Sequence, residues 1–178
     1  MNALGARDDP PVVVVGSDVV HPPPTGLDHA GIAARIPHAG RMCLLDRLEA
    51  WSDTRIRCSA TSHADAGNPL RSASGLLAPC AIEYAAQAMA LHGALLATPA
   101  TQPSPGYLVS VRSVQCHVLR LDDVDGALQI EAERLAGDGG QLLYRFSVDD
   151  ERGKVLVEGR AAVVLNAPLA VMGEGGAP

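Results

Sequence analysis

The stretch LLAPCAIEYAAQAMALHGALL, residues 76–96, constrains this chain more than any other. It is almost all Ala, Leu, Ile and Met, with Glu83 near its start and Gln87 four residues on. Pro79 suits a first helical turn, and Gly93 with the later Pro99 marks a fading end. About 18 residues at 1.5 Å rise predict a helix of roughly 27 Å. Small apolar residues on nearly every face imply burial on nearly every side. A run of about 20 apolar residues is also long enough to cross a bilayer. Ala is only weakly apolar, however, and Glu83, Gln87 and His92 interrupt the run. The expectation is a buried helix, with no membrane span.

A charged carboxylate inside such a helix costs several kcal/mol unless it is paired, or its pKa rises and it stays protonated. A carboxyl kept neutral by apolar surroundings is a useful general acid. Glu83 is therefore the leading catalytic candidate, with Gln87 on the same face to orient it. The competing reading is a solvent-facing Glu favoured by the dipole of the first helical turn. His63, in the Gly/Asn/Pro loop before the helix, is a candidate base, set against a plain surface-loop histidine. His38, in IPHAG, is a second histidine candidate, set against a turn or dimer-contact role. His92 lies nine residues after Glu83 and so points away from it, and His117 reads as structural. A helix N-terminus can activate a thiol, but Cys80 has no nearby His and reads as a core residue.

The long helix must find partners in the rest of the chain. Residues 41–51 and 54–61 are strand-like around a Ser-Asp turn, and Ile56, Cys58 and Ala60 alternate with polar neighbours. Residues 62–75 read as an irregular loop. After the helix come four strand candidates, at 106–119, 127–136, 141–150 and 154–165. The links DDVDG, GDGG and DERG are turn chemistry, which predicts an antiparallel meander. One helix against one large antiparallel sheet is an α+β architecture in which the sheet curls round the helix or a partner chain covers what remains. Residues 1–30, with DDPP and HPPPTG, read as a Pro-rich, poorly ordered extension, although residues 12–15 could add an edge strand. The folded domain is expected over 31–166, with a flexible tail at 167–178.

Charge narrows the function classes. With 14 basic against 20 acidic residues, the chain lacks the basic excess of a dedicated nucleic-acid binder. The cysteines Cys43, Cys58, Cys80 and Cys116 show no metal or redox spacing and read as reduced core residues. The first residues show no basic segment followed by an apolar one, so a cytoplasmic location is expected.

The segments IPHAGRMCLLDRL (36–48) and IEYAAQAMA (82–90) resemble the signatures of hotdog-fold 3-hydroxyacyl-[acyl-carrier-protein] dehydratases. In the first, Pro37-His38 precedes an apolar strand ending in Asp46-Arg47; in the second, Glu83 and Gln87 stand four apart. NPLR and EGRAAVVL are similar to segments of the aryl-polyene and xanthomonadin pigment branch, and the resemblance spans about residues 36–165. It implies a long central helix wrapped by a curved antiparallel sheet. It implies pairing of two hotdogs as a homodimer or heterodimer, with sites at their interface. It implies dehydration of 3-hydroxyacyl thioesters on acyl carrier protein, without metal or other cofactor. Carried over, Glu83 is the carboxyl partner and His63 the histidine, with Gln87, Asn68 and His38 in support. Arg71 and Arg112 are the candidates for meeting the carrier's acidic surface. This loop departs from the family's: the His63-to-Glu83 interval of 20 residues is longer, and the Pro-Gly pair before the helix is missing. With that pair missing, the resemblance leaves Gly75 and Ala78 as substitutes for the amide that polarises the thioester carbonyl in the family. Two other functions fit the same residues: a catalytically silent hotdog subunit paired with an active dehydratase, and a hotdog thioesterase.

Overall fold

The computed structural model describes residues 18–22, 27–97, 106–137 and 140–165, so the possible strand at 12–15 and the expected tail lie outside the described residues. Short strand β1, Val20–His21, is followed by helix α1, His29–Ala33, whose N-cap Asp28 accepts a hydrogen bond from the Gly31 amide. Strands β2, Arg47–Ser52, and β3, Arg55–Ala60, precede the long helix α2, Ala81–Leu96. Then come β4, Gly106–Cys116; β5, Leu128–Gly137; β6, Gln141–Asp149; and β7, Val155–Leu165. All seven strands form one sheet in the order β1-β2-β3-β5-β6-β7-β4, with every pairing antiparallel.

Helix α2 packs on β3, β5 and β6, which is the hotdog arrangement. Burial alternates strictly along most of β6, so Leu142, Tyr144, Phe146 and Val148 face the helix side while their neighbours face out. Leu44, Leu45, Ile56, Leu91, Leu128 and Ile130 are wholly sealed in the same core. His92 is buried there too, with Tyr144 Oη 3.0 Å from Nδ1 and the Ser52 carbonyl 2.9 Å from Nε2. On the opposite side of α2, Ile82, Glu83, Ala86 and Ala90 stay half-buried and Gly93 is exposed.

Three expectations are corrected. The last four strands do not form a simple meander. β4 pairs with β7 at the far edge, because residues 117–127 do not make a hairpin. That segment returns to the start of α2, where the Ala78 amide donates to Leu119 and the Leu121 amide to Leu76. Residues 41–46 are not strand: a 3-10 turn at Gly40–Met42 and an extended stretch come first. Here Gln87 of α2 takes the backbone groups that a neighbouring strand would have satisfied. Cys116 is exposed on edge strand β4, whereas Cys43 and Cys58 are core residues. Inside the segment expected to be an extension, Val20 and His21 pair with Ser52 and Trp51, and Leu27 is buried.

Candidate functional site

Glu83 stands in the first turn of α2, half-buried at the helix face that the sheet leaves open. Its Oε1 lies 3.0 Å from His38 Nε2 and accepts a hydrogen bond of 3.0 Å from Gln87 Nε2. Gln87 has no exposed surface. Its Nε2 also donates to the Met42 carbonyl at 2.7 Å, and its Oε1 accepts from the Leu44 amide at 2.9 Å. One side chain thus ties the helix to the strand-like segment that follows His38, bringing imidazole and carboxylate together.

The His38 hydrogen bond holds the Glu83 carboxyl below its ordinary 4.5, against the opposing effect of burial and with help from Gln87. Apolar surroundings therefore do not keep Glu83 protonated, contrary to the expectation from its helix: near neutral pH it is a carboxylate. As an acceptor it fixes the proton of His38 on Nε2 and leaves the lone pair on Nδ1, an atom sealed from solvent with no hydrogen-bond partner. A carboxylate-oriented imidazole with an uncommitted nitrogen can take and return a proton.

Within one chain the structure brings His38 to Glu83, whereas His63 lies elsewhere in the loop before α2. His63 is completely buried, and its Nε2 donates to the Val124 carbonyl at 3.1 Å. Burial lowers its pKa below 6.5, so it is a neutral ring that pins the loop before α2 against residues 117–127. Asn68 braces the same loop, donating to the Ser62 carbonyl at 2.9 Å and to Tyr84 Oη at 3.0 Å. Arg71 is half-buried and already engaged: its guanidinium lies 2.6 Å from Asp122, a carboxylate only 1% exposed. Arg120 also pairs with Asp122, and the Leu76 amide donates to it at 3.0 Å; together they drive its pKa down to about 2, the Arg120 hydrogen bond first. Of the two carrier-binding candidates, only Arg112 is exposed.

Neither candidate for polarising the carbonyl has a free amide. The Gly75 amide donates to Ser72 at 3.0 Å and that of Ala78 to Leu119 at 2.9 Å. Gly75 has a different task. Its φ is +93°, a backbone conformation that favours glycine, and a Cβ there would lie 2.6 Å from the Arg120 guanidinium, which would have to shift. Cys80 is no nucleophile: burial pushes its thiol up, and its Sγ lies 3.8 Å from the Leu70 carbonyl. A cavity of about 380 Å³ opens beside the segment after His38, lined by Gly40, Arg41, Cys43, Ser62, Asp65 and Asn68, with neither Glu83 nor His38 on its wall.

Asp122 escaped the sequence reading because DDVDG looks like ordinary turn chemistry, and nothing local distinguishes its carboxylates. His38 carried a better signal, the Pro-His pair directly before an apolar run, but its distance from Glu83 along the chain hid the contact.

Comparison with known proteins agrees with this architecture. A chain of the dehydratase heterocomplex ApeI:P from Xenorhabdus doucetiae is 26% identical with a TM-score of 0.68, over 76% of this chain and 91% of that one. A mutant thioesterase from Pseudomonas aeruginosa is 16% identical with a TM-score of 0.51, over 67% and 79% of the respective chains. A thioesterase from Haemophilus influenzae is 11% identical with a TM-score of 0.52, over 71% and 82%. These two thioesterases share the fold. A search of curated protein sequences gives no significant match. Among the described residues, no helix is long and apolar enough to cross a membrane. The family description of ApeP-like proteins, ApeP dehydratase, matches residues 30–172. The chain belongs to the ApeP-like dehydratase family, a hotdog dehydratase of the aryl polyene branch.

Proposed function

We propose that the protein acts in dehydrating 3-hydroxyacyl thioesters carried on acyl carrier protein to 2-enoyl thioesters, in an assembly with a second hotdog protein. The observation that carries this reading is the His38–Glu83 pair, held by Gln87 at the open face of α2. In the proposed reaction His38 takes the proton from the carbon next to the thioester carbonyl. The electrons of that C–H bond form the double bond as the β-hydroxyl departs. The imidazolium, stabilised by the Glu83 carboxylate, returns the proton to the hydroxyl, which leaves as water. His63 and Asn68 support the loop, and the substrate brings its own phosphopantetheine arm. The half-buried face of α2 and edge strand β4, whose outer side no described strand covers and whose Leu108 and Val109 are exposed, favour a second chain. The ApeI:P match makes a heterodimer the favoured form.

Three features favour a second reading, the silent subunit whose partner performs the chemistry. They are the sealed Nδ1 of His38, the engaged amides of Gly75 and Ala78, and the absence of the pair from the neighbouring cavity wall. One experiment separates the readings. A 3-hydroxyacyl carrier is incubated with the purified native complex and followed by mass spectrometry, for wild type, Glu83→Gln and His38→Ala. The dehydratase reading expects loss of water from the acyl group in wild type and its disappearance in both folded variants. Full activity in both variants would make this subunit silent, and release of free acid would make the complex a thioesterase.

A further inference from the structure

The outer face of the sheet carries a transverse row of charges. Register places Arg112 of β4 opposite Arg160 of β7, Arg160 opposite Arg145 of β6, Arg145 opposite Glu133 of β5, and Glu133 opposite Arg55 of β3. At one end the charges are neutralised: Glu133 lies 3.5 Å from Arg145 and 3.2 Å from Arg55, and Glu131 lies 3.6 Å from Arg55. At the other end they are not. Arg112 and Arg160 are both exposed and form no ion pair with any described residue. Like charges directly opposite each other on adjacent strands disfavour the pairing. In a chain of net charge −6, this is a local surplus placed against the overall balance.

The same two guanidinium groups line a cavity of about 320 Å³, together with Ser110, Ser113, Leu143 and Ala162. Among the described residues, no carboxylate lines it. Strand β4 is distorted here. Its register with β7 shifts between Arg112 and Gln115, and Ser113 has φ +53°, the one non-glycine residue with positive φ among the described residues. Bulges of this kind turn side chains away from the regular alternation of a strand, and strained backbone gathers at binding sites.

We infer that Arg112 and Arg160, with the hydroxyls of Ser110 and Ser113, form a binding site for a phosphate ester on the outer face of the sheet. Two planar guanidinium forks on neighbouring strands match the several oxygens of one phosphate, and serine hydroxyls donate to the rest. The shape argues against an acidic protein surface as occupant. The uncompensated charge is confined to two side chains around one small concavity, because Glu133 and Glu131 already neutralise Arg145 and Arg55. Two sources present this chemistry: the phosphodiester of a carrier-borne pantetheine arm, and a free nucleotide thioester of the coenzyme A type. The site is independent of the His38–Glu83 reaction and holds equally for a silent subunit.

Titration calorimetry on the full chain tests it, with coenzyme A, inorganic phosphate, and acyl carrier protein in its holo and apo forms. Coenzyme A or the holo carrier should bind, and inorganic phosphate should compete. Arg112→Gln and Arg160→Gln should each weaken binding by about tenfold or more, the scale of a charge-assisted hydrogen bond. Arg145→Gln should change it by less than about twofold, since Glu133 already engages that arginine. All three side chains are exposed, so thermal unfolding should confirm intact folds. Holo carrier alone would identify the arm as the source, and coenzyme A alone the free nucleotide; both outcomes uphold the site. It is overturned if neither probe binds wild type, if binding ignores both arginines, or if apo carrier binds as tightly with the same arginine dependence.

Discussion

Replacing Gln87 by Leu keeps much of the side-chain volume and removes all three of its hydrogen bonds. The backbone of Leu44, a residue with no exposed surface, loses the acceptor for its amide, and that penalty is about 2 kcal/mol because a buried donor is left without a partner. The Met42 carbonyl belongs to a half-buried residue that water can partly reach, so its share is nearer about 1 kcal/mol. The total is roughly 3 kcal/mol, which for a chain of this size lowers Tm by roughly 6–12 °C. Urea unfolding followed by circular dichroism at one fixed protein concentration measures it, because assembly would shift the apparent stability. Gln87→Glu is the informative companion. It retains an acceptor for the Leu44 amide but sets a second carboxylate against Glu83, so it should push the Glu83 pKa up by like-charge repulsion. A loss below about 0.5 kcal/mol for Gln87→Leu, the scale of an ordinary surface substitution, would refute the clamp.

Other outcomes follow from the buried and paired groups. Burial depresses His63 and His92 below 6.5, so the unfolded chain binds more protons under that pH. Their neutral forms contribute fully above about pH 6.5, and stability falls as pH drops below it, by at most about 1.4 kcal/mol per pH unit for each ring. His63→Gln and His92→Gln should each flatten the stability profile between pH 6.5 and 5, and an unchanged slope in both would contradict this. Glu83 works in a lower window: its contribution is complete above its ordinary 4.5 and is lost as pH falls through its depressed value, so Glu83→Gln should soften acid unfolding below pH 4.5. Asp122→Asn should loosen the loop before α2 and the 117–127 segment together, because it weakens the grip of Arg71 and Arg120. Limited proteolysis should then cut within 62–77 or 117–127 first, and wild-type resistance there would show that the backbone bonds alone hold the two segments.

Much of the site was legible in sequence, and its limits are physical. Glu83 and Gln87 stand four apart on a helix, so their shared face follows from the 3.6-residue period alone. His92, nine residues on, turns away into the core for the same reason. The ionisation of Glu83 was not legible, because it depends on which group lies against it. Apolar neighbours along the helix argue for a neutral acid, and a histidine arriving from another element reverses that. Arg112 could be named from sequence as a surface cation. Its pairing with Arg160 required the strand order.

Local periodicity and composition by themselves determined the buried helix, the four strands after it, the α+β class and the carboxyl–amide pair on the helix. These depend on residues a few positions apart, where backbone geometry alone says which side chains share a face. Tertiary structure alone decided that β4 crosses to the edge beside β7, that His38 meets Glu83 within the chain, and that Asp122 joins two loops. Each of those is a contact between segments distant in sequence. Turn residues and lone histidines carry no local record of their partners, and the buried side chain of Gln87 decides which loop reaches the helix by satisfying two of its backbone groups.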